Sequence, residues 1–179
     1  VLVARTKFEI DEVSSAIRKA GGLARAYALD ITDHDAVKEI VFSQGPFDIL
    51  VNNAGMNRPA LAIDVTESDY DAVMQLNVKA AFFTSQAVAS RMIKSKIAGS
   101  IINISSQLGH VGAQRRTVYS ASKHAIEGLT RSLSWEVGQY GIRVNSLCPT
   151  FIETPMTQPM LSEVDFMDWV LSKIALGRV

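Results

Sequence analysis

The stretch "FDILVNNAG", Phe47 to Gly55, decides the fold. Its apolar run is short and unbroken, which is the pattern of a strand buried on both faces rather than of a strand with one wet side. It then passes directly into two asparagines, an alanine and a glycine. A buried strand that ends in a glycine-terminated loop belongs in a parallel sheet, where ligands gather at the carboxyl ends of the strands.

The same alternation extends in both directions. Upstream, "VLVA" (Val1–Ala4) reads as a strand, and Phe8, Val13, Ile17 and Ala20 follow at roughly helical spacing before Gly21-Gly22 ends the helix. "ARAYALD" reads as a second strand, and "TDHDAVKEIVFSQ" as a helix with Thr32 or Asp33 as its N-cap. Downstream, "TESDYDAVMQLNVKAAFFTSQAVASRMIKS" is a long helical stretch opened by Thr66 or Ser68. "GSIINISS" is a fourth strand, and "TVYSASKHAIEGLTRSLSWEVGQYG" a long helix closed by Gly141. "IRVNSLCP" is a fifth strand stopped by Pro149, and "MLSEVDFMDWVLSKIAL" a final helix. Strands alternating with helices predict a parallel sheet covered on both faces, and right-handed crossovers make it a doubly wound, three-layer α/β/α Rossmann fold. Residues 1–179 form one such domain, with no repeat or linker.

Composition narrows the function. The chain has 179 residues, 47% hydrophobic, enough for a sizeable core. Eighteen basic residues balance eighteen acidic ones, so bulk charge gives no reason to expect nucleic acid as a partner. No run approaches the ~18 apolar residues that cross a membrane, so no membrane partner is expected. Cys148 is the only cysteine, which rules out an intrachain disulfide and fits a reducing cytoplasm. It lies in an apolar run and reads as an inert, buried thiol. His34, His110 and His124 show no ligand spacing, so no metal site is expected. His110, just after the two serines, can face a substrate or the surface.

Tyr119 and Lys123 stand four residues apart on one helix, so the ammonium can approach the phenol. A free phenol, with a pKa near ~10, exchanges protons poorly at neutral pH. A neighbouring ammonium favours the phenolate, and the pair then becomes a general acid/base for alcohol–carbonyl interconversion. An ordinary wet helix face has the same spacing. Ser106, at the carboxyl end of "GSIINISS", can hydrogen-bond the oxygen that Tyr119 protonates, or simply cap a turn.

The ordered set "NNAG", "LNVKAAF", "GSIINISS", "YSASK" and "IRVNSLCPT" resembles the short-chain dehydrogenase/reductase family across essentially the whole chain. Its motifs are closest to the branch holding 3-oxoacyl-carrier-protein reductases and sugar or polyol dehydrogenases. The resemblance implies Asn77, Ser106, Tyr119 and Lys123 as catalytic residues, with Asn77 positioning a water for proton relay to Lys123. It implies that Lys123 also holds the nicotinamide ribose. The implied cofactor-binding set is Arg5, Asp30, Ile31, Asn53, Ala54, Gly55, Ile104, Tyr119, Lys123, Pro149, Ile152 and Thr154. The family usually has Pro-Gly where this chain has Pro149-Thr150.

"VLVART" ends in Arg5 rather than a carboxylate. An acidic residue there would hold a ribose 2′-hydroxyl, whereas arginine suits a 2′-phosphate, so NADP is expected before NAD. Arg5 as a plain exposed strand-end residue is the alternative. The family's glycine-rich phosphate turn is not in the sequence. In the family's strand order the absent first strand falls between Val1–Ala4 and Asp48–Val51, so a gap in mid-sheet is expected and the chain reads as an internal segment of a longer one that continues past Val179.

The expected function is hydride transfer between NADP or NAD and a small carbonyl or secondary alcohol, 3-oxoacyl or sugar/polyol in type. A silent binding or scaffold protein of the same fold is the competing reading. A lid over Pro155–Lys173 carries Met156, Met160, Leu161, Phe166, Met167 and Trp169, which either line a pocket or form the buried stripe of an amphipathic helix. Apolar residues on the helices around Val88–Ile93 and Ile126–Val137 point to a homodimer or homotetramer.

Overall fold

Five short strands carry the architecture in the computed structural model, which describes residues 1–154 and 157–179. Strand β1 (Leu2–Ala4) pairs in parallel with β2 (Ala26–Ala28), Leu2 opposite Ala26. Strands β3 (Ile49–Asn52), β4 (Ser100–Ile104) and β5 (Arg143–Leu147) form a second parallel sheet in the order β3-β4-β5. Ile49 stands opposite Ser100, and Ser100 opposite Arg143.

Helices connect every strand, as the alternation predicts. Helix α1 (Lys7–Lys19) joins β1 to β2, and Gly21, at φ 86°, follows its end in a conformation that penalises other residues. Helix α2 (His34–Gln44) begins at Asp33, whose carboxylate accepts from the Ala36 N–H at 3.1 Å, so Asp33 rather than Thr32 is the cap. The long stretch after β3 is three pieces in one rod: α3 (Glu67–Met74), capped by Thr66, a π-helical turn (Gln75–Ala80) and α4 (Ala81–Ser95). Helix α5 (Thr117–Val137) runs between β4 and β5, and Gly141, at φ 75°, turns the chain into β5.

The single final helix expected over Met160–Leu176 is a correction. The chain forms α6 (Gln158–Leu161) and α7 (Val164–Leu171), divided at Ser162-Glu163. Ser162 folds its hydroxyl back onto the Gln158 carbonyl, which competes with continuation of the helix.

The core joins α2, α4, β4, α5 and β5 through Val41, Val88, Met92, Ile101, Val137 and Val144. Between β1 and β3 the two sheets leave a cleft of about 770 Å³, the mid-sheet gap expected from the strand order. Its consequence for β3 differs from a strand buried on both faces: Ile49 is 62% exposed and Val51 52%, because β3 pairs only with β4.

Ile101 is fully buried at the centre of this core. Ile101→Ala should lower unfolding free energy by about 2–5 kcal/mol, read by urea denaturation of the intact chain. A loss below about 1 kcal/mol would place the core elsewhere.

Candidate active site

Strand β4 and helix α5 build the site. The chain leaves β4 through Ser105 and Ser106 into a 3-10 turn (Gln107–Gly109), which Ser106 caps by accepting from the Leu108 N–H at 3.2 Å. That turn lies directly on α5. A Cβ at Gly109 would stand 2.9 Å from Ser105 Oγ and 3.1 Å from the Lys123 carbonyl, so only glycine permits the approach.

Tyr119 sits in the first turn of α5 and Lys123 one turn later. The Lys123 side chain is buried, and its Nζ donates to the Ile104 carbonyl at 2.8 Å, 5.5 Å from the centre of the Tyr119 ring. The ammonium therefore faces the end of β4 with the phenol beside it.

Asn77 reaches the site from the π-helical turn. Its Oδ1 accepts from the Met56 N–H at 2.8 Å, and its Nδ2 donates to the Met56 carbonyl at 2.9 Å and to Ser122 Oγ at 3.0 Å. Both amide protons and one lone pair are thus engaged, which leaves one lone pair for a water. The local widening of the helix allows this residue, on a rod otherwise packed on its neighbours, to clamp the loop after β3; π-turns recur at such functional positions. A Cβ on Gly55 would lie 3.4 Å from Asn77 Oδ1 and 3.8 Å from Lys123 Nζ. The four expected catalytic residues therefore come together around the ends of β3 and β4.

The electrostatics correct one expectation. Burial raises the Tyr119 pKa above its ordinary value of 10.0, while Ser106 and Arg116 pull it down only in part. The expected lowering by Lys123 is not the governing influence. Burial also pushes the Lys123 ammonium below the ordinary lysine range, against Cys148 and Glu127, which favour its charge. A half-buried phenol with a raised pKa, beside a buried ammonium directed at a carbonyl, is a proton donor in its resting state.

The expected cofactor residues fall into two groups. Arg5, Asp30, Ile31, Asn53, Ala54 and Gly55 all line the cleft between β1 and β3. Asp30 closes a local turn, accepting from Thr32 N–H at 2.9 Å and Thr32 Oγ1 at 2.8 Å; these bonds, with Arg5 nearby, hold its carboxyl below the usual range. Ile104, Pro149, Ile152 and Thr154 do not line that cleft. Ile104 instead supplies the carbonyl that Lys123 binds, and the Pro149 carbonyl accepts from Gln107 N–H at 2.9 Å, which ties the loop after β5 to the serine turn. Ile152 and Thr154 are exposed. The six residues named on the cleft follow the carboxyl ends of β1, β2 and β3, the edge at which an open parallel sheet takes a dinucleotide, so their chemistry fits such a cofactor.

Sequence reasoning missed two neighbours. Ser122 orients the Asn77 amide and donates to the Tyr119 carbonyl at 2.7 Å. Arg116, directly before α5, acts on the phenol through charge. Over the expected lid, Leu161 and Val170 are buried, as in an amphipathic stripe, whereas Trp169 is 52% exposed. Met156 and Pro155 lie outside the described residues.

Parallel β-sheet, glycine-edged cleft and a serine–tyrosine–lysine–asparagine cluster define a class of nucleotide-dependent dehydrogenases. Residues 1–165 match the short chain dehydrogenase family, and the chain belongs to it. It is 40% identical over 175 residues to the 3-oxoacyl-(acyl-carrier-protein) reductase of Thermotoga maritima, covering 94% of this chain and 70% of that protein. It is also 40% identical over 179 residues to the 2-dehydro-3-deoxy-D-gluconate 5-dehydrogenase of Dickeya dadantii, covering 99% of this chain and 70% of that one. Its fold matches a gluconate 5-dehydrogenase from Burkholderia cenocepacia, solved with NADP and tartrate, at a TM-score of 0.91 and 30% identity over 99% of this chain and 71% of that one. Among the described residues, no helix is long and apolar enough to cross a membrane.

The raised phenol pKa has a stability consequence of definite sign. Because folded Tyr119 holds its proton to higher pH than the unfolded chain does, its contribution is complete below about pH 10 and is lost as pH rises through the folded value. Stability measured by denaturant from pH 8 to 11 should fall at the alkaline end, and the fall should be shallower in Tyr119→Phe. Identical slopes in the two proteins would remove burial as the governing influence on the phenol.

Proposed function

We propose that the chain interconverts a carbonyl and a secondary alcohol on a small substrate, with NADP as the preferred dinucleotide. The observation that carries the reading is the convergence of Tyr119, Lys123, Ser106 and Asn77 at the carboxyl end of β4, where Lys123 is locked onto Ile104. A bound nicotinamide dinucleotide supplies the hydride. Tyr119 gives its phenolic proton to the oxygen of the carbonyl being reduced and takes it back in the reverse direction. Ser106 hydrogen-bonds that oxygen and fixes its position, which is an orientation effect as much as an electrostatic one. Asn77, through the free lone pair of Oδ1, holds the water by which Lys123 resupplies the proton.

Arg5 at the edge of the cleft supports NADP. Its guanidinium can pair with a 2′-phosphate, and β1 ends in no carboxylate that would repel one. The gluconate 5-dehydrogenase with NADP bound supports the same choice. The relatives divide between 3-oxoacyl and sugar-acid substrates, and both classes present a carbonyl next to polar or anionic groups. The single cysteine supports a reducing, cytoplasmic setting. We also propose assembly into a homodimer or homotetramer through the surface where Val78, Phe82 and Leu129 line a shallow hollow, since this face leaves Phe82 44% exposed.

Carbonyl-dependent oxidation of NADPH, followed with a panel of sugar acids, polyols and 3-oxoacyl thioesters, tests the reaction. Tyr119→Phe should lower kcat by about 10²–10⁴-fold with the fold intact, as expected for loss of a general acid. Unchanged turnover in that variant would sink the proton-transfer assignment.

Cofactor choice has its own measurement. Arg5→Ala should raise KM for NADPH about tenfold or more while leaving that for NADH nearly unchanged, since a charge-assisted bond is worth about 1.5–3 kcal/mol. Equal use of NADH and NADPH by the wild-type chain would refute the preference.

A further inference from the structure

Apart from the proton-handling residues, three ligand atoms of different chemistry converge from three separate elements. His110 follows the 3-10 turn after β4, Glu127 lies on α5, and Cys148 follows β5. His110 Nε2 is 3.4 Å from Cys148 Sγ, and Cys148 Sγ is 3.3 Å from Glu127 Oε1. His110 Nε2 is 3.7 Å from Glu127 Oε2. A tetrahedral zinc with a sulfur at about 2.3 Å and nitrogen or oxygen at about 2.0–2.1 Å holds its ligands about 3.3–3.6 Å apart. The sulfur–nitrogen and sulfur–oxygen separations fall in that range, and the nitrogen–oxygen separation, measured to the other carboxylate oxygen, lies just above it, so a small shift of the half-exposed imidazole completes one face of the tetrahedron.

Glu127 anchors the group, accepting from the Cys148 thiol on Oε1 and from Ser146 on Oε2. Its side chain is 7% exposed, and a buried carboxylate needs a cation or a full set of donors. The cations near it are poor partners. Arg131 Nη2 is 4.0 Å away on a side chain 69% exposed, and Lys123 directs its Nζ to the Ile104 carbonyl. Ser146 Oγ donates to Glu127 Oε2 at 2.9 Å, the kind of outer hydrogen bond that orients a ligating carboxylate.

We propose that His110, Glu127 and Cys148 bind one divalent cation of the zinc class, leaving a fourth position for water or an exogenous ligand. Thiolate, imidazole and carboxylate together favour zinc and its borderline neighbours over magnesium or calcium, which prefer oxygen. On binding, Cys148 gives up its thiol proton to solvent, and the metal takes the place of that proton between sulfur and carboxylate. The site is separate from Ser106, Tyr119 and Asn77, and stands one helical turn beyond Lys123. Because its ligands come from three elements, the cation cross-links the loop after β4, helix α5 and the end of β5, and so binds the folded chain in preference to the unfolded one. This site does not depend on the proposed reaction.

The test uses the untagged chain, stripped with chelator and dialysed against zinc. One zinc per chain and a higher Tm in its presence are expected. Cobalt in its place should give a thiolate-to-metal charge-transfer band and the intense visible spectrum of a tetrahedral site. Cys148→Ser should abolish that band, and His110→Ala, at a half-exposed position that tolerates truncation, should weaken zinc at least about tenfold. Far-UV circular dichroism confirms the fold of each variant. Absence of the cobalt–thiolate band in the wild-type chain overturns the proposal, and so does zinc affinity unchanged in His110→Ala.

Discussion

The site depends on one buried charge. Lys123 is 5% exposed, and its ammonium meets the carbonyl of Ile104, the last residue of β4. An ammonium taken out of water without such an acceptor is costly, so the bond is a condition of closing α5 against the strand. Once it forms, the rest follows by helical geometry. Tyr119 is fixed one turn earlier, beside the serine turn that begins two residues past Ile104. Gly109 lets that turn rest on the Lys123 backbone. The same burial that makes the lysine expensive shapes both pKa values, raising the phenol and depressing the ammonium.

Lys123 is the first of a buried polar stripe along α5. Glu127 accepts from Ser146 on β5, and Thr130 accepts from Asn103 on β4 at 2.9 Å. Asn103 in turn accepts from Asn52 on β3, whose Nδ2 also reaches Ser85 on α4 at 2.8 Å. Hydrophobic packing is non-directional and lets helices slide in small steps. Directional bonds at positions 123, 127 and 130 fix both the rotation of α5 and its height along the sheet. A helix held this way can place a phenolic oxygen to within the tolerance that proton transfer requires.

Much of this was legible in the sequence, and the exceptions share a cause. The five strands follow from apolar runs, and local hydrogen bonding narrows each helix cap to two neighbouring candidates, of which the structure selects Asp33 and Thr66. Tyr119, Lys123, Ser106 and Asn77 were legible as an ordered set of motifs. The π-helical turn was not, and the Met56 backbone that its Asn77 engages lies 21 positions away in the chain. The division of the last helix turns on one serine hydroxyl, too local for a periodicity to register. The phenol's pKa was misjudged because a four-residue spacing fixes proximity and says nothing of burial. The His110, Glu127 and Cys148 cluster escaped for the same reason as Asn77: its members lie up to 38 residues apart and no ligand spacing exists to be read.

Gly55 shows how the two halves of the site communicate. It lines the cleft between β1 and β3, and a Cβ there would stand in ordinary contact with both Asn77 Oδ1 and Lys123 Nζ. The position therefore lies between that cleft and the atoms we propose to handle the proton. A methyl group there would stand 3.4 Å from the asparagine oxygen on which the proposed relay water depends. The interest of the glycine in "NNAG" thus lies in what stands across from it rather than in its own backbone angles. The strand that decides the fold thus ends, in its last loop residue, beside both the cleft and the Asn77–Lys123 pair.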